Sequence, residues 1–103
     1  MKNIEFYKRK NITVVGLARS GLACANLLYD LGARVSVTDA FNTDAVRLNA
    51  SKLKSKQINC ELGVHSEGFI KGKDLVVISP GVTDAALPVV WARQYGIPVI
   101  SEI

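Results

Sequence analysis

Histidine occurs once and cysteine twice in this chain of 103 residues, and none of the three is spaced for metal chemistry. Cys24 and Cys60 lie far apart inside apolar patterns, without a C-x-x-C pair, and His65 stands alone in a polar loop. With no carboxylate cluster to complete a ligand set, a metal site is not expected. Both thiols are read as free and buried, and His65 as a surface residue. Long apolar runs are missing too. No stretch approaches the roughly 18 residues needed to span a bilayer, and the charged opening MKNIEFYKRK is not followed by a signal-peptide core. A soluble cytoplasmic protein with no membrane partner is expected. Aromatics make up only 7% and do not interleave with the basic residues, which scatter over residues 8–10, 52–56 and 71–73. The net charge of +4 therefore reads as solvated faces and not as a nucleic-acid interface. It also suits an anionic small ligand.

Catalytic machinery is absent as well. The nearest approach to a phosphate-binding P-loop is residues 63–68, but Phe69 and Ile70 stand where Lys and Ser or Thr are required. No nucleophile, acid–base pair or catalytic residue is assigned.

What is present is one α/β domain covering residues 1–103, with 49% hydrophobic residues and hence ample material for a single core. A β-branched run at residues 12–15 ends at Gly16. From Ser20 onward Cys24, Leu27, Leu28 and Leu31 recur at helical spacing, and Gly32 closes that helix. A second strand, RVSVT, leads to Asp39. Asn42 or Thr43 caps a second helix that turns Val46, Ala50 and Leu53 inward. Residues 58–62 form a weaker third strand, residues 67–70 a helical turn, and residues 75–78 (LVVI) a buried fourth strand broken by Ser79-Pro80-Gly81. A last helix is predicted within residues 84–95, with Pro88 in its first turn, and residues 97–101 form an edge strand. This alternation predicts a Rossmann-like, five-stranded, mostly parallel sheet of order 3-2-1-4-5 with helices on both faces.

That order places the ligand crevice beyond the carboxyl ends of strands one and four. Three stretches converge there. Gly16-Leu17-Ala18-Arg19-Ser20-Gly21 has G-x-G-x-x-G spacing with alanine in the middle, so a methyl stands where a dinucleotide pyrophosphate needs clearance. Ser20 is expected to offer its hydroxyl, Arg19 its charge, and the helix's first turn its free N–H groups to an anion. Asp39 lies at the distance expected of a ribose-binding acid, where a carboxylate accepts equally well from paired hydroxyls or an imide N–H. A strand-end turn is the competing reading of Asp39, and a strand-terminating turn that of residues 79–81.

Taken together, three segments resemble the N-terminal domain of the Mur ligases, most closely its D-glutamate-adding branch: VVGLARSGLACANLLYDLGARVSVTDA, GVHSEGFIKGKDLVVISPGV and WARQYGIPVISEI. The resemblance implies an ATP- and magnesium-dependent ligase of peptidoglycan synthesis, active as a whole but not as this fragment. The central ATP-binding and C-terminal domains would lie outside these residues. It implies that this domain holds the UDP portion of UDP-N-acetylmuramoyl-L-alanine. Gly16, Leu17, Ala18, Arg19, Ser20 and Gly21 would form the diphosphate loop, Asp39, Ala40 and Phe41 the uridine end, and Ser79, Pro80 and Gly81 the crevice wall. Ala18 replaces the family's usual glycine, and Ala40 and Phe41 stand where polar residues are common. Two other readings stay open: an NAD(P)-binding domain of an oxidoreductase, and a non-catalytic interaction domain with a vestigial nucleotide pocket.

Overall fold

The computed structural model describes residues 4–102. β-Branched residues dominate its centre. The strand β1 (Asn11–Val15) and the strand next to it in the sheet, β4 (Leu75–Ile78), are buried almost throughout, as central parallel strands covered on both faces must be. Around them lie β2 (Arg34–Asp39), β3 (Asn59–Leu62) and β5 (Val99–Ser101). The order is β3-β2-β1-β4-β5, as predicted. Every pairing is parallel, so the sheet is wholly and not mostly parallel. Val14 sits between Val37 and Val77 in register.

Strand alternation divides the core into two layers. On one face Ile12, Val14, Val35, Val37, Leu75 and Val77 pack under helix α1 (Arg19–Asp30), with helix α2 (Asp44–Ser51) beside it. On the other, Val15, Val76 and Ile78 meet Ile70 and the buried side of helix α3 (Leu87–Gln94). Each fully buried aliphatic side chain contributes about 1.5–3 kcal/mol. Thr13, fully buried on the second face, is satisfied by donating its hydroxyl to the Phe69 carbonyl in the short 3-10 turn Glu67–Phe69.

Several details differ from the sequence reading, each for a physical reason. The buried face of α1 is Gly21, Ala25 and Leu28, while Leu27 is 58% exposed. A Cβ on Gly21 would lie 1.9 Å from the Gly16 carbonyl oxygen. That close backbone approach helps set the rotation of the helix: of the predicted stripe Leu28 is buried and Cys24 packs against the core, while Leu27 turns off it. Helix α3 (Leu87–Gln94) lies within the predicted bounds, and Pro88 falls in its first turn as expected. The preceding residues form turns, Val82 N–H to Ser79 and Ala86 N–H to Thr83. Strand β5 starts at Val99, after Pro98, whose carbonyl still accepts from Val76 N–H. Thr43 caps α2, its hydroxyl accepting from Val46 N–H at 3.2 Å. Both cysteines are free, but Cys60 is exposed and Cys24 half-buried, so the expectation of two buried thiols is corrected. The outer strand β3 leaves one face open at Cys60.

Candidate nucleotide crevice

The first loop begins with Gly16, whose φ of 98° is open to glycine at little cost. A side chain there would also strike Ser79, whose Oγ lies 2.6 Å from the position of an added Cβ. The ends of β1 and β4 thus meet through a glycine and a serine, and Ser79 Oγ leans toward the Gly16 carbonyl at 3.4 Å.

Asp39 ties this loop to β2. Its Oδ2 accepts from Leu17 N–H at 2.7 Å and its Oδ1 from Phe41 N–H at 2.8 Å. Gly16 N–H goes to the Thr38 carbonyl, and Gly63 N–H to that of Asp39. Each carboxylate oxygen has a further lone pair for a ligand. Leu17 itself turns inward and is fully buried, and Asn49 of α2 donates to its carbonyl. Leu17 therefore anchors the loop and does not present its side chain to the crevice.

Beyond Leu17 the arrangement changes. Ala18 is the N-cap of α1 and has no side-chain acceptor for the helix's first turn. The first N–H in this stretch to find a backbone partner is that of Leu22, which donates to the Ala18 carbonyl. The N–H groups of residues 18–21 have no protein acceptor among the described residues. Such a terminus carries partial positive charge and unspent donors, and Ala18, Arg19 and Ser20 are all exposed. Arg19 forms no ion pair among the described residues. The Ser20 hydroxyl does not wait for an anion: it donates to Glu102 Oε1 at 2.7 Å.

The three predicted stretches do come together. Ala40 and the 67%-exposed Phe41 follow Asp39 at the β2 end, and Pro80 and Gly81 stand exposed beyond Ser79 at the β4 end.

Sequence reasoning missed a polar cluster beside them. Thr38 is fully buried, and its hydroxyl lies 2.9 Å from Glu61 Oε2 and 2.7 Å from His65 Nδ1. One hydroxyl proton serves one acceptor, so donation to Glu61 leaves Thr38 accepting from an Nδ1-protonated His65. Ser66 N–H also donates to Glu61. His65 is thus a bonded, half-buried residue and not a plain surface one. Burial pushes its pKa down, against the opposing pull of Glu61 and Asp39. The signal was the parallel register, which pairs Thr38 with Glu61 and is invisible until β2 and β3 are aligned.

Comparison with known proteins fits this geometry. Among curated sequences, the UDP-N-acetylmuramoylalanine–D-glutamate ligase of Koribacter versatilis is 43% identical over 91% of this chain and 21% of its own length. That of Halalkalibacterium halodurans is 41% identical over 100% of this chain and 23% of its own. The chain therefore spans between a fifth and a quarter of the length of these relatives. Among solved structures, a pseudomurein peptide ligase type C from Methanothermus fervidus superposes with a TM-score of 0.67 at 25% identity, over 89% of this chain and 19% of that one. Shikimate dehydrogenase from Aquifex aeolicus gives 0.54 at 16% identity, over 92% of this chain and 43% of that one, a likeness of fold alone. The family model of the Mur ligase MurD-like N-terminal domain matches residues 10–101, and the chain belongs to that family.

Proposed function

We propose that this domain holds the UDP portion of UDP-N-acetylmuramoyl-L-alanine for a D-glutamate-adding ligase of peptidoglycan synthesis. The observation that carries the reading is the uncapped N-terminus of α1. Its unspent N–H groups at residues 18–21 sit at the switch point of a parallel sheet, where a diphosphate would supply the missing acceptors.

In this reading Gly16 and Gly21 shape the turn, Leu17 anchors it, and Ala18, Arg19, Ser20 and Gly21 meet the diphosphate through backbone N–H groups. Arg19 adds a mobile positive charge. Asp39, Ala40 and Phe41 receive the uridine, and Ser79, Pro80 and Gly81 wall the crevice. Because the Ser20 hydroxyl already donates a hydrogen bond to Glu102, it serves a ligand as a donor only if that bond opens.

ATP and magnesium, implied for the complete cytoplasmic enzyme, do not fit the residues present. No group of three or more His, Cys, Asp or Glu able to hold a metal occurs among the described residues, and no P-loop occurs in the sequence. We assign both to the remainder of a full-length ligase. No helix among the described residues is long and apolar enough to cross a membrane.

Thermal unfolding of the chain with UDP-N-acetylmuramoyl-L-alanine, UDP or NADH at equal concentration tests the proposal. A ligand at about a hundred times its dissociation constant stabilises by roughly 2.7 kcal/mol, on the order of 10 °C for a domain of this size. The two uridine nucleotides should give that shift and NADH none. Stabilisation by NADH alone would transfer the domain to the oxidoreductase reading, and no response to any of the three to the interaction-domain reading.

A further inference from the structure

Right-handed crossovers leave one edge of this sheet without its own cover on one face. The helices joining β1 to β2 and β2 to β3 lie on one face, and the connections from β3 to β4 and β4 to β5 lie on the other. Leu75 and Val77 of β4 are buried under α1, but nothing between β1 and β5 covers the same side of β5, where Ile100 stands exposed. A groove of about 560 Å³ opens there. Its walls are Cys24 and Leu27 of α1, Leu31 at the cap of that helix and Ile100 of β5, with Val77 and Ile4 also lining it. Leu27 is 58% and Ile100 44% exposed.

We propose that this groove is the seat of an amphipathic helix supplied by the polypeptide that follows the domain in full-length members of the family. The inference rests on family membership alone and not on the ligand assigned to the crevice. The match is to an N-terminal domain, and the whole of this chain covers 23% of one relative, so such proteins continue well past β5. Glu102 forms the upper rim of the groove and holds its place through Glu102 N–H to the Ile78 carbonyl.

The lining selects a helix over a strand. Ser20, Cys24, Leu27 and Leu31 follow a ridge of α1, the surface into which a second helix packs at about 8–10 Å. An extended segment would strand its backbone N–H and C=O groups against leucine, valine and isoleucine, whereas a helix satisfies its own. Direction follows as well. Glu102 Oε2 is buried and has no hydrogen-bond partner among the described residues. A helix running beside α1 and parallel to it brings its own unspent first-turn N–H groups to that carboxylate.

A chimera tests this, in which the 103-residue chain is continued by the segment that follows the matched region of the Halalkalibacterium halodurans ligase, about 15 residues or 22 Å as a helix. The chimera should melt at least about 5 °C above the unextended chain and show added helical signal by circular dichroism. Leu27→Glu and Ala23→Glu, both on the exposed side of α1, should leave the unextended chain unchanged within about 2 °C and abolish the increment. Leu48→Glu, an exposed leucine on α2, should preserve it. An extended chain no more stable than the unextended one would overturn the proposal. So would an increment that survives both groove substitutions. Dimerisation of the extended chain through this face, detected by sedimentation and lost in Leu27→Glu, would assign the groove to a second copy and equally overturn it.

Discussion

Two concavities flank α1, and they are built on opposite plans. At the N-terminus of the helix, the crevice is polar and closely tied: Asp39 holds Leu17 and Phe41, Gly16 is pinned to Thr38, and Gly21 presses on Gly16. Along the side of the helix, the groove is apolar and loosely finished, with leucine and isoleucine facing water and a carboxylate oxygen lacking a partner. A site for a small polar ligand has its donors fixed in advance so that binding need not order them. A seat for another piece of protein has no such need, since burial of apolar area is tolerant of direction.

The largest test of this contrast is Gly21→Ala. A methyl there meets the Gly16 carbonyl oxygen at 1.9 Å, closer than any packing tolerates, and the substitution should destabilise the chain by about 3 kcal/mol in urea unfolding. Alanine is otherwise the better helix former, so a stabilised variant would show that the crevice is not preorganised by this contact. Asp39→Ala comes next. It strands two backbone N–H groups, one of them buried, and should cost about 2 kcal/mol of stability. It should also loosen residues 16–18, seen as faster amide exchange at Leu17. Unchanged exchange at Leu17 would show that Asp39 does not organise the loop.

The thiols report on the two sides separately. In the groove Cys24 is pushed up to about 12 by burial and by Glu102, and Cys60, on the edge strand β3, is raised by burial and by Asp39 and Glu61 but stands exposed. At pH 8 an aromatic disulfide reagent should modify Cys60 at least about tenfold faster than Cys24, since the thiolate is the reacting form. Equal rates would mean the groove is wetter than its lining implies. The smallest effect concerns His65. Burial lowers its folded-state pKa below the ordinary 6.5, so the unfolded chain binds its proton first as pH falls. Stability from this group is complete above about pH 6.5 and declines below it. His65→Gln should flatten that part of the difference between melts at pH 7.5 and 5.5, and an identical pH profile would remove His65 from the account.

The strand order and the convergence of three loops were legible because β-branched runs, glycine stops and crossover handedness are local or topological rules. LVVI became β4 residue for residue. The rotation of α1 was legible only in part: Leu28 went inward as expected and Leu27 did not. Periodicity favoured the stripe of larger residues through Leu27, whereas the backbone contact of Gly21 with Gly16 helped decide which face went inward. A glycine's reason for being small lies in what it touches, and that partner was four residues outside the apolar pattern being counted. The Ser20 hydroxyl was likewise assigned to a ligand because Glu102, 82 residues away, has no sequence mark connecting it to α1. The cluster of Thr38, Glu61 and His65 needed the register of two strands before it existed as a cluster at all.

The bidentate role of Asp39 has a mechanical corollary. One side chain bridges the loop after β1 and the loop after β2, so the two cannot drift apart independently. The crevice therefore carries its own caliper. A ligand spanning both loops, as proposed for the UDP portion, would be gauged against the opening that this aspartate clasp sets.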